Sequence, residues 1–132
     1  MPEVPDFWPN DLGNANLLTP VTILRQEASY LGPKTNQLLK GEVSTGSSGD
    51  SFTHSFNIVA PGLNNYRYQL FQIQHSITLY PLLLIWSSAN IQIASQESLI
   101  TRLKEILSSP QTRQIIEALL AQVSRPGGAA DA

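Results

Sequence analysis

The chain carries two histidines, His54 and His75, and any imidazole-based chemistry would depend on one of them. They fall on two different predicted strands, so a shared role requires the fold to bring them together. Four side chains near them in sequence could complete a nucleophile, a base and an orienting group: Asp50, Ser51, Ser55 and Ser76. The sequence has no Gly-x-Ser-x-Gly pattern, which marks the nucleophile elbow of many hydrolases. We therefore predict no catalytic residue and keep both histidines as candidate binding residues, with strand histidines satisfied by hydroxyls or water as the alternative.

Metal and phosphate chemistry find no support in the spacing of the polar residues. The sequence has no cysteine, no His-x-x-x-His, no His-Glu-x-x-His and no Asp-x-Asp, so the usual zinc and calcium ligand sets are missing. The glycines of Gly46-Ser47-Ser48-Gly49 precede a strand-like run and have no following lysine, which indicates a hairpin turn. We predict no metal and no cofactor.

The segment Tyr66-Arg67-Tyr68, with Phe71 close behind, is the richest aromatic and cationic stretch of the chain. Tyrosine and arginine are favoured at the centres of protein interfaces, so these three residues are candidate binding residues together with His54 and His75. Cross-strand aromatic packing is the alternative explanation.

Helix signals flank a central region of strands. Thr19-Pro20 is typical of an N-cap followed by proline in the first turn, and helical spacing continues to Leu31, where Gly32-Pro33 predicts the end. From Leu38 to about Leu79 the period falls to two, interrupted by turn-forming residues. Leu82 to Trp86 is apolar without alternation, which indicates a strand that is central or buried on both faces, and a short segment at Ile91-Gln92-Ile93 follows. Near the end of the chain, Ser95 and Ser109-Pro110 predict the starts of two amphipathic helices.

The third strand-like run has an irregularity, because its apolar residues change parity between Leu70 and Phe71. A β-bulge there would restore one continuous buried face. A sheet covered on both sides over part of this strand is the alternative. The fold class predicted from these elements is α+β: an N-terminal helix, an antiparallel meander sheet of four to five strands, and two C-terminal helices packed on the sheet.

Residues 1–18 are predicted to form an extended, Pro-rich arm, residues 19–124 a single α+β domain, and residues 125–132 a disordered tail. Phe7 and Trp8 are the large side chains of the arm. Because aromatic burial is worth so much, we expect them to pin the arm onto the core of their own domain. The alternative is that the arm reaches a second subunit or another partner.

Composition narrows the classes of function. A net charge of −2 and scattered basic residues predict no nucleic-acid partner. The longest apolar run, Leu82 to Trp86, is far shorter than the ~20 residues of a membrane helix, and the first residues lack the features of a secretory signal. We expect a cytoplasmic protein with no membrane partner.

These observations favour a non-enzymatic protein-interaction module, of the kind found among small inhibitors, immunity proteins, chaperone-like proteins and assembly proteins. It would act through a sheet surface on another protein, or on itself as a homodimer. The alternative is a small-ligand-binding or hydrolase-like domain, with an apolar pocket between the sheet and the terminal helices and the two histidines at its mouth.

Overall fold

The computed structural model of the protein describes residues 4–9 and 18–123. It consists of an N-terminal helix, a five-stranded antiparallel sheet and two C-terminal helices, which confirms the predicted α+β class. The strands lie side by side in the order of the sequence, β1-β2-β3-β4-β5. Their bounds, with those of the helices, are α1 Pro20–Lys34, β1 Lys40–Ser48, β2 Ser51–Ala60, β3 Tyr66–His75, β4 Leu82–Trp86, β5 Ala89–Ile93, α2 Gln96–Leu107 and α3 Pro110–Val123. The predicted tail and much of the predicted arm lie outside the described residues.

Helix α1 begins where the sequence predicts and ends one turn later. The Thr19 hydroxyl accepts a hydrogen bond from the N–H of Thr22, and Pro20 occupies the first turn. The predicted end at Gly32-Pro33 is wrong, because both residues belong to the last turn. Proline disfavours helical geometry in the preceding residue through a clash with its Cβ, and glycine has no Cβ. The Thr35 hydroxyl then donates to the carbonyl of Leu31, which completes the helix end.

The bulge predicted in the third strand is present. From Phe52 to Phe56, strand β2 pairs with β3 in one register, and from Asn57 onward the pairing is displaced by one residue. Phe56 lies opposite Phe71 and Asn57 lies opposite Gln69, so Leu70 is the extra residue. The bulge keeps the apolar residues before and after it on the same side of the sheet.

All three helices lie on one side of the sheet, which we call the covered face. One cavity on this face, of about 220 Å³, is lined by residues of all three helices and of strands β2 and β3, among them Leu31, Phe56, Leu70, Leu107 and Ile116. The core is built between these layers. No described helix is long and apolar enough to cross a membrane.

The N-terminal arm does not pack as expected. The side chains of Phe7 and Trp8 are 79% and 74% exposed, so neither is anchored on the core of its own domain. The Asp6 carboxylate accepts a hydrogen bond from the main-chain N–H of Trp8, which gives the segment a local turn. Prolines at positions 5 and 9 fix φ on either side of this turn.

Candidate functional site: a histidine pair beside an apolar cleft

The structure brings the two histidines into direct contact. In the pairing of β2 with β3, His54 lies opposite Ile73 and His75 lies opposite Phe52, so the two imidazoles are diagonal neighbours on the covered face. Their Nε2 atoms are 2.9 Å apart. His54 is 4% exposed and His75 is 9% exposed. The sequence placed them on separate strands; the register of those strands makes them a pair.

Each outer ring nitrogen also has a partner, and the partners fix the direction of the hydrogen bonds. His75 Nδ1 is 2.6 Å from the carbonyl oxygen of Ser76, which can only accept, so this nitrogen carries a proton. In a neutral ring His75 Nε2 then accepts, and His54 Nε2 must donate to it. His54 Nδ1 is left to accept from the Thr45 hydroxyl, 3.0 Å away on β1. One chain of hydrogen bonds therefore runs from Thr45 through both imidazoles to the main chain.

The pair can hold one added proton but not two. With a single positive charge, His54 Nδ1–H can donate to Thr45 while one proton remains between the two Nε2 atoms. A second charge would set two N–H groups against each other across 2.9 Å and break the contact. Burial above all, then the neighbouring charges of His75 and Arg25, lowers the pKa of His54. This ring is therefore neutral at pH 7.

The pair forms the floor of an apolar cleft of about 230 Å³, which we call the histidine cleft. Its walls come from the start of α1, from β2 and from the loop that follows β3. The residues that line it are Thr19, Val21, Phe52, His54, His75, Ile77 and Leu79. Phe52 stacks on His75 with ring centroids 5.4 Å apart, so one wall is aromatic. Ile77 is 75% exposed and stands at the rim.

No protein-family model, curated protein or solved structure matches this chain. The functional options follow from the geometry of its own residues. Within residues 4–9 and 18–123, no group of three histidine or acidic side chains is placed to hold a metal ion. Two ring nitrogens at hydrogen-bond distance instead hold a proton between them.

The loop that forms the rim of the cleft has an unusual backbone. Leu79 has a φ of 78°, a region that residues with a Cβ rarely occupy. The N–H of Tyr80 closes a tight turn by donating to the carbonyl of Thr78 at 2.9 Å. Such a conformation costs on the order of 1–3 kcal/mol and tends to occur at binding and active sites. The strained turn places the apolar side chains of Ile77 and Leu79 at the cleft.

The three residues of the aromatic and cationic segment do not share a surface. Tyr66 and Tyr68 lie opposite Ala60 and Ile58, on the covered face, and Tyr68 packs against the core. Arg67 points to the other side of the sheet, where its guanidinium pairs with the carboxylate of Glu42. Neither tyrosine lines the histidine cleft. The segment therefore divides between the two faces.

The side of the sheet opposite the helices is a second candidate surface, which we call the open face. Alternation along the strands and the pairing registers place six amide side chains on it: Asn57, Gln69, Gln72, Gln74, Asn90 and Gln92. Leu83 and Ile85 of β4 lie among them. A broad groove of about 630 Å³ runs over this side, with Gln74, Leu83 and Gln92 in its walls. The sequence reasoning did not select this surface, although the shared parity of Gln72 and Gln74 was a signal for it.

Charged side chains on the open face are confined to one end. Lys40 and Glu42 of β1 lie beside Arg67 of β3, and the carboxylate of Glu42 pairs with both cations. Val59 is buried between Lys40 and Arg67, its cross-strand neighbours, whose aliphatic stems can cover it. The rest of the open face, from Ser44 to Asn90, carries no charge among the described residues.

Proposed function

We propose that the protein is a non-enzymatic interaction module that associates with a second copy of itself through the open face. The observation that carries this proposal is the uncharged region of that face, with amides and two aliphatic side chains at its centre and a charged cluster at one end. Protein interfaces have this distribution, since charged residues are depleted at the interface core and tolerated at the rim.

The chemistry of the central side chains favours a second copy as the partner. In a two-fold symmetric interface, residue i of one copy contacts residue j of the other and j contacts i, so a group near the two-fold axis meets its own symmetry mate. A carboxylate or an ammonium group repels its mate, whereas a primary amide both donates and accepts and can therefore pair with an identical amide. Five amides on strands β3 and β5 meet this requirement, whereas Asn57 of β2 is buried and donates to the Ser44 hydroxyl.

The alternative function, binding of a small ligand between the sheet and the helices, has weaker support. The cavity on the covered face is about 220 Å³, below the ~300–1,000 Å³ of typical ligand pockets. The two histidines, expected at its mouth, line the separate histidine cleft instead. A hydrolytic role would use Thr45 as nucleophile and His54 as base, with His75 as the orienting group.

Introducing like charges at the centre of the open face tests self-association. The double substitution Gln72→Glu and Gln92→Glu places four carboxylates in the symmetric interface, and we expect the dissociation constant of the dimer to rise about tenfold, because a closely placed like-charge pair costs on the order of 1 kcal/mol or more. Sedimentation equilibrium between 1 and 200 µM would measure it.

The matched control introduces two negative charges on the helices and none on the open face. Gln26 and Gln114 are exposed on α1 and α3, away from the open face. Gln26→Glu with Gln114→Glu should leave the dissociation constant unchanged. Equal association of the two double variants would contradict the proposal, as would a monomeric wild-type protein at 200 µM.

A further inference from the structure

We infer that the histidine cleft is the receptor for the N-terminal arm of a second copy, with Phe7 and Trp8 as the inserted side chains. This inference rests on the self-association proposed above and assigns a role to a segment outside the sheet. Exposed Phe7 and Trp8 form an apolar segment that makes no use of its own core. The cleft is an apolar recess of about 230 Å³ with an aromatic wall and an exposed isoleucine at its rim.

The chemistry of the arm matches that of the cleft. Trp and Phe present large apolar areas with few rotatable bonds, and tryptophan is enriched among interface residues that dominate affinity. The stacked rings of Phe52 and His75 offer an aromatic surface for an incoming ring. Val21 and Leu79 extend the apolar wall on either side. Neither Phe7 nor Trp8 carries a charge that the buried histidine pair would have to accommodate.

The arm is also long and stiff enough for this role. Thr19, at the start of α1, is itself a wall of the cleft, so the arm is rooted beside this site. In a dimer joined through the open faces the covered faces point outward, so the arm must pass round an edge of the paired sheets to reach the partner's cleft. Nine residue steps separate Pro9 from Leu18, a reach of about 30 Å when extended, against ~10 Å between the packed sheets themselves. Prolines at positions 5 and 9 restrict the free arm and so reduce the entropy that it loses on docking.

A second copy is the occupant that the structure favours. In the single chain, neither Phe7 nor Trp8 lines the cleft of its own domain, and both side chains are largely exposed. Association through the open face would tether the arm of one copy within the same dimer as the cleft of the other, which raises its effective concentration there. Each copy would then contribute one arm and one cleft, as two-fold symmetry requires.

Tryptophan emission and affinity together test this inference. Trp86→Phe leaves Trp8 as the sole tryptophan. In this background we expect the Trp8 emission to shift to shorter wavelength as the protein concentration passes through the dissociation constant of the dimer. Phe7→Ser with Trp8→Ser, in the otherwise wild-type chain, should raise that dissociation constant about fivefold.

The cleft is tested by a charge at its rim. Ile77→Asp should abolish the emission shift and raise the dissociation constant about fivefold, because it places a carboxylate where an apolar ring must dock. Thr78→Asp is the control in the same loop; the Ser76 hydroxyl, 2.9 Å from that of Thr78, can donate to the new carboxylate. A mixture of the arm variant with the Ile77→Asp variant restores one arm and one cleft, so its affinity should exceed that of either variant alone.

The possible failures are distinguishable. Trp8 emission that stays at its solvent-exposed wavelength at every concentration would overturn the inference, as would an emission shift that is independent of concentration, which would place the arm in its own cleft. If the open-face variant weakens the dimer while the arm and cleft variants do not, self-association stands and the arm has no part in it. If only the arm and cleft variants weaken it, the open face is the wrong surface.

Discussion

Substitution of Gly41 by alanine should destabilise the protein by about 2–3 kcal/mol, the upper part of the ~1–3 kcal/mol range expected when an atom is forced into a packed core. Gly41 lies on the covered face of β1, where α1 crosses the strand. A Cβ at this position would lie 2.7 Å from both the Cα and the carbonyl oxygen of Ala28. These are main-chain atoms of a helix and cannot rotate away as a side-chain tip could, so α1 as a whole would have to move.

Gly46→Ala provides the control on the same strand. A Cβ at Gly46 would meet no atom within 4 Å. Replacement of glycine by alanine at an unstrained position stabilises by about 0.4–1 kcal/mol, because it restricts the unfolded chain. Urea denaturation should therefore separate the two variants by several kcal/mol in free energy of unfolding. Equal midpoints would show that α1 does not pack against β1 as closely as the structure has it.

Gly41→Ala should also change the histidine cleft. Thr19 and Val21, at the start of α1, form one wall of the histidine cleft. Displacement of the helix would open this wall and expose the imidazoles to solvent. The ring signals of His54 and His75 in NMR spectra should therefore shift in Gly41→Ala and stay in place in Gly46→Ala.

The elements of the fold follow from local rules that the sequence displays directly. Ser95 and Ser109 each accept a hydrogen bond from the main-chain N–H three residues later, as expected of N-caps. The bulge at Leu70 is also visible in the sequence as a change of parity, because a buried face must stay continuous through a strand. The end of α1 was missed because proline ordinarily ends a helix, and here the preceding Gly32 relieves the clash.

The candidate sites are less predictable because they depend on register. His54 and His75 are separated by 21 positions, and whether they touch is decided by the β2–β3 connection and by the bulge. A signal existed, since each histidine has the parity of the buried residues around it: Phe56 for His54 and Ile73 for His75. The expected anchoring of Phe7 and Trp8 failed for another reason: apolar character indicates that a side chain favours burial, but not which surface will bury it.

Acidification should weaken the fold from about pH 6.5 downward, and His54 should be the main source of this loss. The pKa of His54 is lowered by burial, and further by the charges of His75 and Arg25, from an ordinary value of 6.5. Between the lowered pKa and 6.5, the unfolded chain binds a proton at this ring that the folded chain does not. The free energy of unfolding should therefore fall with pH by at most about 1.4 kcal/mol per pH unit for this one group.

The contribution of His54 to stability changes only within a defined pH range. Above pH 6.5 the ring is neutral in both states, so the stabilisation associated with it is complete and independent of pH. Below the lowered pKa both states are protonated, and the loss reaches a plateau. Urea denaturation at intervals between pH 7.5 and 5.0 would trace this curve.

His54→Gln separates the histidine from the carboxylates that titrate at lower pH. The glutamine amide keeps a donor for Nε2 of His75 and removes the titrating ring, so the variant should lose less stability than the wild-type protein between pH 6.5 and 5.0. Contributions common to both proteins cancel in the difference between the two curves. Parallel curves would contradict the prediction, because they would mean that His54 takes up its proton as easily in the folded chain as in the unfolded one.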